Sequence, residues 1–239
     1  KSPFSTFDRY YHFGKPFEAI EQEIAEIRPD VVGISSLFTP YFREVLEIAA
    51  RVKKHLGIPV VVGGSHASAV PESMLASPSV DYVIRGEGEK PLVELLRYLR
   101  GENGIGNVPN LSYKRNDRHC SNPMGENFPI DDLSFPELSD TSASAYQFAG
   151  KPMTFMISSR SCPHKCSFCS VHTTFGTNYR RRSLENVLEE IELRYQQGYR
   201  VIDFEDDNLT YYKKTFKELC RRLIARFSNR ELEFVAMNG

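Results

Sequence analysis

The sequence predicts an α/β protein built around parallel β-sheets, and three features of the 239-residue chain lead to this prediction. Short runs of β-branched residues alternate with amphipathic helical segments, which is the pattern of repeated βα units. Small or polar residues follow each run directly, at the carboxyl ends of strands, where α/β proteins bind ligands. A stretch rich in Gly, Asn, Pro and Ser separates two regions of this kind.

The first region, residues 1–101, begins with a helix and contains three candidate strands. The strands have the composition of buried parallel strands and are Val31–Ser35, Val60–Val62 and Asp81–Ile84. We predict a Rossmann-like (flavodoxin-like) parallel-sheet domain here, truncated at its N-terminus because three strands are few for such a sheet. Residues 102–150 are predicted to be a linker, in which a small hairpin begins at Leu111.

The second region, residues 151–239, resumes the alternation of strands and helices. Its three candidate strands are Thr154–Ile157, Val201–Phe204 and Leu232–Val235. Three strands are too few to close an eight-stranded barrel, so we predict the first part of a (β/α) partial barrel that is truncated at its C-terminus. Side chains alternate between the faces of a strand, so Asp203, Glu205 and Asp207 are expected on one face.

The composition excludes several classes of protein. The chain has 30 Lys and Arg against 31 Asp and Glu, so its net charge of −1 provides no field that would attract nucleic acid or a membrane. The sequence lacks an apolar run of the ~20 residues that span a bilayer, and it lacks a signal peptide, so we expect a cytoplasmic location. Five cysteines in such a protein argue against a disulfide framework.

Three of these cysteines form a compact motif, Cys162-x3-Cys166-x2-Cys169, in a loop that directly follows a strand. Three thiolates on one iron–sulfur cluster leave one iron of a [4Fe-4S] centre open to another ligand. The alternative is a structural zinc site, with His172 or His164 completing a Cys3His set. The spacing favours the cluster, and the position after a barrel-like strand is where active sites lie.

The residues of both regions resemble those of one enzyme family. Cys162–Cys169, with an aromatic residue before the third cysteine, resembles the cluster motif of radical S-adenosylmethionine (radical SAM) enzymes, as do the following Tyr179–Ser183 and Phe204–Asn208. The loops that follow the first-region strands resemble those of the cobalamin (B12)-binding domain fused to many radical SAM enzymes. One departure is clear, because the D-x-H-x-x-G motif that supplies a cobalt-ligating histidine is absent, and His66 has no paired aspartate.

The resemblance implies three cofactors and a set of residues for each. Cys162, Cys166 and Cys169 would hold the [4Fe-4S] cluster. Phe168, Glu205 and Asp207 would contact S-adenosylmethionine. The loops implied for cobalamin supply small and polar residues, namely Ser35, Ser36, Thr39, Gly63, Gly64, His66, Gly86 and Glu87.

The resemblance also implies an activity: reductive cleavage of S-adenosylmethionine to a 5′-deoxyadenosyl radical, followed by cobalamin-dependent methylation of an unactivated carbon. It implies a small-molecule substrate and an electron donor of the flavodoxin or ferredoxin type. Relatives in which cobalamin serves a rearrangement or an oxidation keep those outcomes open. The competing hypotheses of another class are a zinc-stabilised binding module and a corrinoid carrier or sensor.

Five further residues are expected to have no catalytic part. Arg180–Arg182 is interpreted as a solvated charged run, with binding of a carboxylate or phosphate as the alternative. Cys220 lies on an apolar helical stripe and is expected in the core. Cys120 lies in the predicted linker and carries no chemistry that the sequence indicates.

Overall fold

The computed structural model describes residues 14–138 and 145–236, which form two compact units with a boundary after Met124. Both units have an α/β fold with parallel strands, as the sequence predicts. Each unit has its own sheet and its own core, and each is described separately. The outermost residues of the predicted first and last domains lie outside the described ranges, as do residues 139–144 of the predicted linker.

The sheet of unit 1 has five strands in the order β1-β2-β3-β4-β5. The first three strands pair in parallel, and the last two form a hairpin that pairs antiparallel with β3. The strands are β1 (Val32–Ser35), β2 (Val60–Gly63), β3 (Tyr82–Ile84), β4 (Leu111–Arg115) and β5 (Arg118–Ser121). The hairpin predicted at Leu111 therefore extends the first sheet instead of lying in a separate linker.

Helices cover both faces of this sheet, which is why the three valines of β2 are all buried. Val60 and Val62 pack into a core with α2 and α4, whereas Val61 faces the opposite core, beneath α5. This arrangement is the doubly wound architecture that the sequence predicts. The helices are α1 (Phe17–Ile27), α2 (Phe42–Leu56), α3 (Ser65–Ala69), α4 (Pro71–Leu75) and α5 (Glu89–Leu99), with short 3-10 turns at Thr39–Tyr41 and Ile105–Asn107.

Unit 2 has a sheet in the order β11-β10-β7-β6, in which β7, β10 and β11 are parallel. A short antiparallel pair, β8 with β9, lies outside that sheet. The strands are β6 (Gln147–Phe148), β7 (Lys151–Met156), β8 (Ser159–Arg160), β9 (Arg180–Arg181), β10 (Val201–Phe204) and β11 (Glu233–Val235). The three parallel strands correspond to those predicted for the first part of a partial barrel.

Helices pack on one face of this sheet. Met156, Ile202 and Phe204 point into a core formed with the two long helices of the unit. The helices are α6 (Val171–Phe175), α7 (Leu184–Gln196) and α8 (Lys213–Phe227), and a 3-10 turn spans Ile130–Asp132. Ser183 caps α7, because its Oγ accepts a hydrogen bond from the Asn186 N–H at 3.2 Å. Within the described ranges, we find no helix with the length and apolar character needed to cross a membrane.

Candidate functional site

The loops that follow β1 and β2 are joined by backbone hydrogen bonds at the carboxyl ends of their strands. The Ser36 N–H donates to the Gly63 carbonyl at 2.7 Å, and the His66 N–H donates to the Ser36 carbonyl at 3.0 Å. These bonds exist because parallel strands end at the same edge and their loops turn over one another. The structure thus brings together Ser36, Gly63 and His66, which the sequence assigned to one site.

His66 is buried, with 6% of its surface exposed, and it carries an unused ring nitrogen. Its Nδ1 lies 3.0 Å from Thr39 Oγ1, and its ring contacts the ring of Phe42 with centroids 5.5 Å apart. Burial lowers the pKa of His66, so the neutral imidazole is favoured. Its Nε2 has no hydrogen-bond partner among the described residues.

The hydroxyl of Ser36 is a second unused polar atom beside this histidine. Ser36 is buried, and its Oγ also has no hydrogen-bond partner in the described part of the chain. A buried polar group without a partner is costly, so these two atoms on adjoining loops are available to hydrogen-bond a ligand.

Gly64 allows these two loops to approach closely. Its φ is +101°, and a Cβ there would lie 2.7 Å from the Ser36 carbonyl oxygen. Only glycine fits both requirements. The neighbouring Gly63 has no such restriction, because a Cβ there would meet the Ile84 carbonyl oxygen at 3.7 Å, an ordinary contact.

Ser68 connects the third loop to the other two. Its Oγ donates to the Gly64 carbonyl at 2.8 Å and accepts from the Gly86 N–H at 2.8 Å. Glu87 is buried next to Gly86, and its carbonyl accepts from the Asn110 side chain at 3.3 Å. The sequence analysis missed Ser68, because a single serine in a short helix carries no signal of its bridging position.

Exposed apolar side chains flank this cluster of loops. Leu37, Phe38 and Tyr41 are each more than half exposed, and the rings of Phe38 and Tyr41 meet edge to face. Ser35 and Thr39 are also exposed in the same loop. Polar atoms without partners beside exposed apolar side chains suit a large ligand that presents both polar and apolar surface. An apolar run directly after a strand is the sequence signal that could have identified these three residues.

In unit 2, Asp206 ties the chain after β7 to the chain after β10. Its Oδ2 accepts from the Ser158 N–H at 2.9 Å, and its Oδ1 accepts from the Ser158 hydroxyl at 2.8 Å and from the Ser159 hydroxyl. The carboxylate is buried, so these hydrogen bonds replace the water it loses on folding. Asp206 is therefore a structural clamp at the base of the cysteine loop.

Asp207 holds the next residue of that loop. Its Oδ2 accepts from the Ser161 N–H at 3.1 Å, while Ser161 Oγ donates to the Gly176 carbonyl at 2.6 Å. Ser161 has a φ of +76°, an unusual conformation for a serine, which turns the chain immediately before Cys162. Burial raises the pKa of Asp207. The contact of Asp207 with S-adenosylmethionine remains a prediction.

The three cysteines of the motif are free thiols on the loop between β8 and α6. Cys162 and Cys169 are half-buried, and Cys166 is exposed. Cys162 Sγ accepts a hydrogen bond from Asn208 Nδ2 at 3.4 Å, and the Cys169 N–H donates to the Cys166 carbonyl at 3.1 Å. In residues 14–138 and 145–236, His, Cys, Asp and Glu side chains do not converge in a group of three that could hold a metal ion.

The two histidines considered as zinc ligands lie on the same loop and the following helix. Both are exposed, and the His164 ring contacts Tyr211 with centroids 5.7 Å apart. The described residues therefore contain no ready-made Cys3His site. Three thiols within eight residues still supply the donor set that an iron–sulfur cluster requires, because a metal can draw such ligands together.

Phe168 and Glu205 lie near the motif in different surroundings. Phe168 is 90% exposed, which excludes a role in core packing. Glu205 is half-buried, and its N–H donates to the Met156 carbonyl at 2.9 Å, so its backbone extends the pairing of β10 with β7. The proposed contacts of both side chains with S-adenosylmethionine stay predictions.

The expectation that Arg180–Arg182 forms a solvated run is wrong for Arg182, which is buried. Its guanidinium donates to the Ile157 carbonyl at 2.8 Å and pairs with Glu190 at 2.6 Å. Glu190 also pairs with buried Arg194 at 2.8 Å. The three charges form a buried network that the sequence does not indicate, since charged residues on a helix usually face solvent.

The two remaining cysteines take no part in either cluster of loops. Cys220 is half-buried on α8, where the neighbouring Leu219 occupies the core position, so its expected place in the core is not confirmed. Cys120 is half-buried on β5 and packs beside the second core of unit 1.

Comparison with protein families divides the chain as the structure does. Residues 8–96 match the B12 binding domain family, and residues 156–238 match the Radical SAM superfamily. The first match contains the three loops described for unit 1, and the second contains the cysteine motif with Asp206 and Asp207.

Known proteins of similar sequence include an uncharacterized methyltransferase of Pyrococcus horikoshii, which is 33% identical over 87% of this chain and 46% of its own length. An anaerobic magnesium-protoporphyrin IX monomethyl ester cyclase of Rubrivivax gelatinosus is 28% identical over 87% of this chain and 39% of its own length. The chain thus spans less than half the length of these relatives.

Among solved structures, the radical S-adenosylmethionine methyltransferase TsrM from Kitasatospora setae, with cobalamin and a [4Fe-4S] cluster bound, has a similar fold. The TM-score is 0.72 at 20% identity, and the alignment covers 91% of this chain and 45% of that protein. At this identity the comparison establishes the fold alone.

Proposed function

Since the chain belongs to the radical SAM proteins that carry a B12-binding domain, we propose that it is part of a cobalamin-dependent radical SAM methyltransferase. The cofactors would be a [4Fe-4S] cluster, S-adenosylmethionine and cobalamin. The observation that carries this proposal is the three-cysteine loop, fixed by two aspartates at the carboxyl end of a parallel strand. The TsrM structure with cobalamin and a cluster bound supports the assignment.

The cysteine loop would hold the cluster through Cys162, Cys166 and Cys169. Asn208 Nδ2, which donates to Cys162 Sγ at 3.4 Å, would stabilise the thiolate form of that ligand. Hydrogen bonds to cluster sulfurs tune the reduction potential, so Asn208 is a positioning residue for this site. Three thiolates leave one iron for S-adenosylmethionine, with Phe168, Glu205 and Asp207 near the loop as its candidate contacts.

The loops of unit 1 would hold cobalamin, because their unused atoms fit a large amphipathic ligand. Ser36 Oγ and His66 Nε2 would supply hydrogen bonds, and Gly64 would let the ligand approach the backbone. Neutral His66 can donate or accept at Nε2, depending on whether its Nδ1 accepts from Thr39 Oγ1 or donates to it. The D-x-H-x-x-G motif is absent, so His66 is proposed as a hydrogen-bonding residue and not as a cobalt ligand.

When bound, these groups supply one-electron cleavage of S-adenosylmethionine to a 5′-deoxyadenosyl radical and a methyl group for an unactivated carbon. The chain's own residues position the groups and exclude water. A small-molecule substrate and an external electron donor complete the proposal, and both belong to the whole protein, of which this chain matches a part.

Anaerobic reconstitution with iron, sulfide and aquacobalamin tests this function. We expect about four irons per chain, retention of cobalamin, and formation of 5′-deoxyadenosine when S-adenosylmethionine and a reductant are added. C166A should lose the iron, and the matched variant C220A should keep it, because Cys220 is half-buried on α8 beside the core residue Leu219 and does not belong to the three-cysteine motif. If metal analysis found one zinc per chain and no iron, the chain would be the zinc-stabilised binding module.

Two further outcomes separate the remaining alternatives. Cobalamin without iron would indicate a corrinoid carrier or sensor. Formation of 5′-deoxyadenosine without methyl transfer would favour a rearrangement or oxidation, and similarity to the cyclase of Rubrivivax gelatinosus is the observation that keeps this chemistry in view. Deuterated methyl groups in S-adenosylmethionine make methyl transfer visible by mass spectrometry.

A further inference from the structure

The positive charges of α8 differ between its two ends. Lys213, Lys214 and Lys217 are exposed, and none of them has an ion-pair partner among the described residues. The arginines further along α8 all pair with glutamates. Arg222 pairs with both Glu185 and Glu218. Arg221 pairs with Glu218, and Arg226 pairs with Glu192. The lysines at the start of the helix are therefore left unneutralised.

The position of these lysines opposes the stability of α8. The first turn of a helix favours acidic side chains, because the helix dipole is positive there. Among the described helices longer than ten residues, α8 is the one without an acid in its first turn. Lys213 and Lys214 occupy that turn instead. Residues that oppose a local structural preference, without a compensating contact in the fold, are candidates for a functional role.

Direct contacts connect the start of α8 to the cysteine loop. Arg181 bonds to Thr215 Oγ1, and its guanidinium lies 5.3 Å from the centre of the Tyr212 ring. Tyr211 packs against Tyr212, with centroids 4.7 Å apart, and against His164 of the motif. We name the surface formed by Lys165, Arg181, Lys213, Lys214 and Lys217 the basic rim.

The sequence around the basic rim contains no acidic residue. Residues 158–184 and 208–217 lack Asp and Glu entirely, although the chain as a whole has 31 of them and a net charge of −1. Of the acids between these segments, Asp206 is buried, Asp207 accepts from Ser161, and exposed Glu185 pairs with Arg222 further along α8. The surface beside the cysteine loop is thus positive within a chain of balanced charge.

The basic rim suits a macromolecular partner better than a small anion. The cavity at this place, lined by Tyr179, Arg181 and Tyr212, has a volume of about 20 Å³. That volume holds about one water molecule, whereas small-molecule sites need several hundred Å³. Arg181 and the neighbouring tyrosines are of residue types enriched at protein interfaces, and the lysines of the rim would steer an acidic partner by charge complementarity.

We propose that the basic rim is the docking surface for an acidic one-electron donor protein of the flavodoxin or ferredoxin type. This inference rests on the iron–sulfur function proposed above. Its support is the charge of the rim and its contact with the motif through His164 and Tyr211. In each encounter the donor is oxidised by one electron, the iron–sulfur centre is reduced by one electron, and no bond forms or breaks.

Binding of flavodoxin to the full chain tests the docking surface without requiring a cluster. We expect K213E/K214E to weaken binding about tenfold at low salt, because charge reversal both removes attraction and adds repulsion. The difference should shrink at about 200 mM salt, where the screening length is about 8 Å or less. The control K54E/R100E makes the same charge change on exposed residues of unit 1 and should change binding less than twofold.

Equal binding by the two double variants, or no binding of flavodoxin by the unchanged chain, would overturn the proposal. Binding of an RNA or DNA oligonucleotide in place of flavodoxin, lost in K213E/K214E, would also overturn it. If reconstitution gives no cluster, the proposed function fails, while this binding measurement still decides the docking surface.

The rate of cluster reduction and the thermal stability give two further readouts. Reduction by flavodoxin should slow about tenfold in K213E/K214E, whereas reduction by dithionite should not change, because dithionite needs no protein surface. The same variant should unfold about 2–4 °C higher, since two acids in the first turn of α8 favour the helix. A variant that is both destabilised and slow with dithionite would indicate a structural role for the lysines.

Discussion

The two units fix their functional loops by different means. In unit 1 the loops are joined mainly by backbone hydrogen bonds, such as Ser36 N–H to the Gly63 carbonyl, and by a glycine that allows close approach. In unit 2 the cysteine loop is held by two carboxylates, buried Asp206 and half-buried Asp207, and the segment that follows it by buried Arg182.

The two candidate sites also differ in how far the described residues already form a binding site. Unit 1 presents two buried polar atoms without partners in a loop cluster whose geometry is already fixed. In unit 2 the base of the loop is fixed, but the described His, Cys, Asp and Glu side chains do not converge on a metal position. Under the proposed function, the loops of unit 1 are preorganised, whereas unit 2 would need a metal to bring its cysteines together.

The largest effect is expected from the charged network of unit 2. E190Q leaves buried Arg182 and Arg194 without their shared carboxylate and should reduce the free energy of unfolding by about 3 kcal/mol. E189Q, at an exposed position on the same helix, should change it by less than about 0.5 kcal/mol. Denaturant unfolding measures both, and equal stability of the two variants would refute the importance of the network.

In unit 1, we expect the largest loss of stability from a substitution at Gly64. G64A combines a φ of +101° with a Cβ 2.7 Å from the Ser36 carbonyl oxygen, so it should cost about 2–3 kcal/mol. G57A shares the positive φ but has open space around its Cβ, so about 1 kcal/mol is expected. The same denaturant experiment applies. A loss for G57A as large as that for G64A would remove close loop approach as the cause.

The clamp at the base of the cysteine loop should give an effect of intermediate size. D206N keeps an acceptor for the Ser158 N–H but presents an NH2 group to the Ser158 and Ser159 hydroxyls, which can no longer donate to it, and it should cost about 2 kcal/mol. Iron incorporation should fall with it, because Ser158 and Ser159 lose their common anchor. D132N, at an exposed aspartate, is the control. Full iron content in a destabilised D206N would show that the clamp serves folding alone.

The smallest effects are pH-dependent, and they have opposite signs in the two units. Burial lowers the pKa of His66, so its contribution to stability is present above about pH 6.5 and is lost as the pH falls. Burial raises the pKa of Asp207, so its contribution is lost as the pH rises through that raised value.

Thermal unfolding between acidic and neutral pH measures both effects. Relative to the unchanged chain, H66Q should gain stability on acidification. D207N should be more stable than the unchanged chain at neutral pH. Both gains in the free energy of unfolding should be less than about 1 kcal/mol. If both differences ran in the same direction with pH, the assignment of one of the two shifts to burial would be wrong.

The strands and their loops were predictable because their signals are local. Val60–Val62 is β-branched throughout, since helices cover both faces of β2, and the cysteine spacing marks its loop without any tertiary information. Ser36, Gly64 and His66 were named from the resemblance to the cobalamin-binding domain, and their meeting agrees with parallel strands that end at one edge of a sheet.

The charged contacts could not be predicted, because they depend on long-range packing. Arg182 and Glu190 are eight residues apart and look like solvent-facing charges until the chain folds over them. Asp206 stands between two other acidic residues in the sequence, and its partners Ser159 and Ser158 lie 47 and 48 residues away. The amphipathic stripe likewise predicted α8 but not which of its cations would find glutamates.

The central claim is that two independent cofactor sites lie in the two units, and paired cofactor analysis of S36A and C166A tests it most directly. Ser36 Oγ has no partner in the described chain, so S36A removes no described hydrogen bond of its own and reports on the ligand. After anaerobic reconstitution, S36A should lose most of its cobalamin and keep its iron, whereas C166A should lose iron and keep cobalamin. Parallel loss of both cofactors in either variant, or cobalamin retained fully by S36A, would contradict the account.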